Sequence, residues 1–68
     1  MNSTKAIELI ESGQVQMEMR RDGHRYLVGT IFRKGARKLS SVTASSVMKK
    51  MRLTYIKQED GTYKCLPI

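Results

Sequence analysis

One cysteine, one histidine and one proline leave this chain few chemical tools. Cys65 has no partner for an internal disulfide and cannot build a thiolate zinc site alone. His24 is the single side chain suited to acid–base work near neutral pH, and no second histidine, paired carboxylates or Ser-His-Asp set accompanies it. The expectation is a protein that is not an enzyme, with no catalytic residue, metal or cofactor. No apolar run approaches the length of about eighteen residues that a membrane span needs, so no membrane partner is expected. The first residues, Met1-Asn2-Ser3-Thr4-Lys5, lack the basic-then-apolar order of a signal peptide, which makes a cytoplasmic protein the default expectation. Tryptophan is absent, and Tyr26, Phe32, Tyr55 and Tyr63 share the packing with five methionines. With 68 residues the chain is one small domain, residues 1–68, that hides only roughly 60% of its unfolded surface. A homodimer sharing apolar surface would help so thin a core, and that option stays open.

Acidic residues are also scarce. Six Asp and Glu stand against thirteen Lys and Arg, a net charge of +7. The imbalance is local. Between His24 and Gln58 lie Arg25, Arg33, Lys34, Arg37, Lys38, Lys49, Lys50, Arg52 and Lys57, with no acid among them. Such a segment suits phosphates, because each phosphate neutralised releases condensed counterions. The alternative is a charged surface that serves solubility alone or an acidic protein partner.

The apolar pattern divides the chain into elements. Ser3 to Ser12 reads as a helix, with Ser3 or Thr4 as its cap, Ala6, Ile7, Leu9 and Ile10 on its apolar face, and Gly13 as its stop. From Val15 the period becomes two: Val15, Met17 and Met19 alternate with Gln16, Glu18 and Arg20. Asp22-Gly23 supplies a hairpin turn, and as a two-residue turn it sets Met19 opposite Tyr26, Met17 opposite Val28 and Val15 opposite Thr30. Gly29, within the second strand, predicts a bulge or the close approach of another backbone, from the second helix or a partner chain. Arg33 to Ser41 reads as a basic turn. A second helix runs from Thr43 or Ala44 to Arg52, capped by Thr43 or by Ser41, with Ala44, Val47, Met48 and Met51 as its buried stripe. Leu53 to Gln58 and Thr62 to Leu66 form a second hairpin around Asp60-Gly61, with Ile56 opposite Cys65, Tyr55 opposite Leu66, and Pro67 ending the strand. Cys65 is expected to act as a small core hydrophobe. The fold expectation is an α+β domain of order α-β-β-α-β-β, two helix–hairpin units in series.

The run Ser41-Val42-Thr43-Ala44-Ser45-Ser46-Val47-Met48-Lys49-Lys50-Met51-Arg52-Leu53, with the strand and Asp60-Gly61 turn that follow to Pro67, resembles the recognition helix plus wing of winged-helix DNA-binding domains. The arginine-repressor N-terminal domain is the nearest comparison. The resemblance covers residues 41–67; upstream, the Val15–Thr30 hairpin stands where that family has helices. It implies that Ser45, Ser46, Lys49 and Lys50 face the major groove of double-stranded DNA, with Lys57 and Lys64 on the wing beside the backbone. His24 after Gly23 is faintly similar to HicA-type mRNA interferases, but the spacing departs from theirs.

The functional expectation is a DNA-binding protein, a small transcriptional regulator or accessory factor. Its DNA-binding residues would be Arg33, Lys34, Arg37, Lys38, Ser45, Ser46, Lys49, Lys50, Arg52, Lys57 and Lys64. The second reading is a small inhibitor or adaptor that covers an acidic protein surface. RNA binding ranks below both, because the aromatics look committed to packing.

Overall fold

A computed structural model describes all of residues 1–68. The elements are helix α1 (Ser3–Glu11), strands β1 (Gln16–Met19), β2 (Arg25–Val28) and β3 (Ala36–Lys38), helix α2 (Ser41–Met51), and strands β4 (Leu53–Lys57) and β5 (Tyr63–Pro67). The five strands form one antiparallel sheet in the order β3-β2-β1-β5-β4. The chain is thus an α+β domain with two helices, as expected, but with a fifth strand in the stretch read as a basic turn. Gly29 N–H donates to the Gly35 carbonyl at 2.9 Å, and Gly35, at φ +80°, turns the chain back so that Ala36 to Lys38 pair with β2. A three-residue edge strand with two cations shows no alternation that a sequence reading can detect.

The two hairpins form as expected, but each register is shifted by one residue. Met17 faces Leu27 and Met19 faces Arg25; Tyr55 faces Cys65 and Ile56 faces Lys64. Both turns are three-residue loops, Arg21-Asp22-Gly23 and Glu59-Asp60-Gly61. Each glycine alone takes the left-handed conformation, at φ +83° and +88°. Each aspartate sits one place earlier, where its carboxylate accepts a backbone N–H two residues on: His24 at 2.8 Å and Thr62 at 2.9 Å. This matches the turn-plus-bulge form of the hairpin, which adds one residue to the two-residue loop. The shift decides which β2 side chains go inside. Leu27, not Val28 or Tyr26, is fully buried beside Met17, a gain of about 2 kcal/mol for a leucine taken from water.

The helix ends also differ slightly from expectation. Asn2 caps α1 by accepting the Lys5 N–H at 2.9 Å, and Ser40 caps α2 by accepting the Thr43 N–H at 3.2 Å. Gly13 stops α1 at φ +80°. No glycine stops α2. Arg52 takes the left-handed conformation instead, at φ +52°, and leads straight into β4.

The core consists of Ala6 and Leu9 from α1, Ala44 and Val47 from α2, and Val15, Met17, Leu27, Leu39, Leu53 and Cys65. Met17, Leu27 and Cys65 are register partners on one face of the sheet, so both helices pack on that face. The other face is bare and carries the row Lys38, Tyr26, Glu18, Lys64, Ile56 across all five strands. Gly29 does meet a backbone, that of its hairpin neighbour: a Cβ there would lie 2.5 Å from the Gln14 carbonyl oxygen and 2.8 Å from Val15 Cγ1. Neither the second helix nor a partner chain is the cause.

Candidate nucleic-acid interface

Helix α2 owes its amphipathic form to side chains three and four apart. Ala44 and Val47 are buried and Met48 and Met51 half-buried, while Val42, Ser45, Lys49 and Lys50 are exposed and Ser46 is half-exposed. Ser45 with Lys49, and Ser46 with Lys50, are i, i+4 pairs and so stand above one another on the outward side. No acid lies on α2. Lys49 and Lys50 occupy its last turn, where cations also stabilise the helix dipole by about 0.3–1 kcal/mol. Lys50 Nζ donates to Ser3 Oγ at 3.4 Å, joining the end of α2 to the start of α1.

Strand direction decides which basic residues share an end of the molecule. β1, β3 and β4 run one way and β2 and β5 the other. The β2–β3 loop, with exposed Arg33 and Lys34, therefore lies at the end where β4 starts, which is also where α2 finishes with Lys49, Lys50 and Arg52. Five of the expected residues lie at that end, Arg33 and Lys34 toward the β3 edge of the sheet and Lys49, Lys50 and Arg52 toward the β4 edge. The opposite end holds both Asp-Gly turns and the N-terminus of α2.

Four other expected residues are pulled apart by the period of the strand. Arg37 opposes the buried Leu27 and so stands on the helix-covered side; Lys38 opposes Tyr26 on the bare side. Lys57 opposes Tyr63 and stands on the helix side, whereas Lys64 opposes Ile56 on the bare side. All four are exposed, but no flat ligand on one face of the sheet contacts all of them.

Three arginines are occupied with the protein itself. Arg25, part of the acid-free segment, donates to the Tyr55 hydroxyl at 3.1 Å and to the Ser41 carbonyl at 3.4 Å, tying β2, β4 and α2 together. Arg20 stacks 4.4 Å from the Tyr26 ring centroid and bonds Glu18 at 3.0 Å. Arg21 Nε donates to the Asp60 carbonyl at 2.7 Å and links the two Asp-Gly turns. Only Arg20 meets an acid side chain, Glu18 two residues away; the partners of Arg21 and Arg25 are backbone carbonyls and a hydroxyl distant in the chain, which local sequence does not show.

The titrating groups of the turns follow their hydrogen bonds. The Tyr26 hydroxyl bonds Asp22 at 2.7 Å and, with the His24 N–H, holds the Asp22 carboxyl below its ordinary value. The same bond raises the Tyr26 hydroxyl. Thr62, through its hydroxyl and its N–H, lowers Asp60. Burial pushes the Cys65 thiol up to about 11. His24 is exposed on the turn; its backbone N–H donates to Asp22 and its carbonyl accepts the Arg20 N–H at 3.0 Å. No group of three or more His, Cys, Asp or Glu side chains is arranged to hold a metal, and no helix is long and apolar enough to cross a membrane.

No family model, curated protein or solved structure matches this chain.

Proposed function

We propose that this chain is a non-enzymatic DNA-binding protein, a small regulator or accessory factor, that meets double-stranded DNA with the outward side of α2 and the β2–β3 loop at the same end of the fold. One observation carries the proposal: Arg33, Lys34, Lys49, Lys50 and Arg52 come to one end of the fold from two separate segments. Charges spaced along one sequence run are common; charges brought to one end of the sheet from a loop at its β3 edge and a helix end at its β4 edge offer a phosphate backbone several points of contact. The short Ser45 and Ser46 side chains, one turn before the lysines, let the helix approach base edges closely, and the winged-helix resemblance of residues 41–67 points to the same helix. Arg37 and Lys57 flank the helix side and extend the contact; Lys38 and Lys64 contribute long-range attraction only.

The test is a titration of labelled duplex at several salt concentrations. Binding should weaken steeply with salt, and Lys49→Ala/Lys50→Ala should flatten the log–log slope by about 2, since each phosphate contact adds roughly 0.9. Absence of binding at low salt, or an unchanged slope in the variant, would refute the proposal.

A second reading, an adaptor for an acidic protein surface, draws on Val42. This branched apolar side chain is 79% exposed on the same basic helix, as a protein contact would need. Capture of a stoichiometric protein partner from nuclease-treated lysate, lost on Val42→Asp, would favour it.

A further inference from the structure

The sheet ends in two very different edges. β3 is three residues long, and two of them, Arg37 and Lys38, are cations. Short length and charge are the usual protections of an edge against pairing with another chain. β4 is five residues long, has its single charge at the last position, and leaves Tyr55 and Ile56 38% and 43% exposed. Leu66, beside it on β5, is 37% exposed.

The hydrogen bonding of β4 shows which groups are free. Gln58 N–H donates to the Thr62 carbonyl and Ile68 N–H to the Arg52 carbonyl, so the even-numbered residues along this strand point their backbone groups toward β5. By the alternation of antiparallel ladders, Leu53, Tyr55 and Lys57 point theirs outward, away from the sheet. A strand added at this edge must pair with those three residues.

We infer that β4 is the docking edge for a second copy of this chain, pairing antiparallel about a two-fold axis through Tyr55. In this register Tyr55 of one copy exchanges hydrogen bonds with Tyr55 of the other, and Leu53 with Lys57, so the outward groups are satisfied by about six bonds. Thr54 and Ile56 face each other across the new ladder, and no like charges are directly opposed. Beyond the strands the charges complement each other. Gln58 of one copy lies opposite Arg52 of the other, which brings the acidic turn Glu59-Asp60 beside Lys50 and Arg52, and the two-fold axis repeats the contact. Glu59 has no ion pair within its own chain. This self-complementarity favours a second copy over an unrelated strand, and a two-fold contact closes on itself rather than growing into a fibre. The result is a continuous sheet of two copies with both pairs of helices on one side. The inference does not depend on the DNA-binding reading.

Sedimentation equilibrium on nuclease-treated protein should give a dimer at concentrations up to millimolar. In a Cys65→Ala background, Tyr55→Cys should cross-link copies on mild oxidation, because residues facing each other at a hydrogen-bonded site lie about 5.5 Å apart between Cα atoms, within disulfide reach. Ile56→Cys, whose opposite is Thr54, should not cross-link. Glu59→Lys should raise the dimer dissociation constant roughly tenfold, and adding Lys50→Glu should restore it. A single-chain mass at every concentration would overturn the inference. So would cross-linking through Ile56→Cys with none through Tyr55→Cys.

Discussion

Gly29 is held to a hydrogen atom by space, not by backbone angle. The Gln14 carbonyl stands where a Cβ would go, and backbone cannot move aside as a flexible side chain can. Gly29→Ala should therefore destabilise the domain by about 1–3 kcal/mol, as overpacking does, and chemical denaturation measures it. Arg52 is the reverse case. It occupies a left-handed position where a glycine is favoured, and L-residues pay about 1–2 kcal/mol to be there. Arg52→Gly should raise stability by about 0.5–1 kcal/mol, after the extra freedom of glycine in the unfolded chain is counted, while weakening duplex binding. Opposite changes in the two readouts would separate the residue's conformational strain from its charge. The need for a glycine at position 29 was legible in the sequence, but the neighbour that imposes it was not, because that contact depends on a register two residues of context cannot fix. Arg52 carried no signal at all, since nothing in an arginine announces a positive φ.

The elements show where a reading of pattern succeeds and where turn chemistry overrides it. α1 and α2 were legible because a buried stripe at helical spacing has few alternative explanations, but α2 starts two to three residues earlier than expected, at Ser41, each helix ends one residue earlier, and the caps are Asn2 and Ser40. Both hairpins were legible from Asp-Gly between alternating runs. Their registers were not, and for one shared reason: an aspartate that bonds the N–H two residues ahead makes a three-residue loop. β3 was hidden, because Ala-Arg-Lys has no periodicity and its pairing is imposed by the Gly29–Gly35 turn. The two aspartates that shape the hairpins also predict an acid response. Both are lowered in the folded state, so their contribution is complete above the unfolded carboxyl value of about 3.9 and is lost as pH falls through the folded values. Unfolding midpoints measured below pH 4 should fall less steeply in Asp22→Asn/Asp60→Asn than in the parent, and the two proteins should respond alike to pH between 5 and 7.

At the scale of the molecule, the excess charge acquires a direction. The winged-helix resemblance implies Lys57 and Lys64 together on one wing; the ladder sends them to opposite sides of the sheet. Lys57→Ala should therefore weaken duplex binding and lower the salt slope by about 0.9, whereas Lys64→Ala should leave the slope unchanged. Equal effects from the two would mean that the ligand wraps the sheet instead of lying against the helix side. Arg25 behaves likewise: its charge counts toward the acid-free segment, yet its guanidinium is spent on Tyr55 and Ser41.

The amino-acid sequence by itself determined the class of the fold, both helices, both hairpins and the strongly positive middle of the chain. Each of these follows from local spacing, composition or turn chemistry acting over a few residues. The tertiary structure decided the registers, the fifth strand, which cations share a surface, and which edge of the sheet is left open. Those are relations between residues far apart in the chain. They depend on which residues pair in each ladder and on which face of each strand meets the helices, and a one-residue step in either sends every side chain of a strand to the other side.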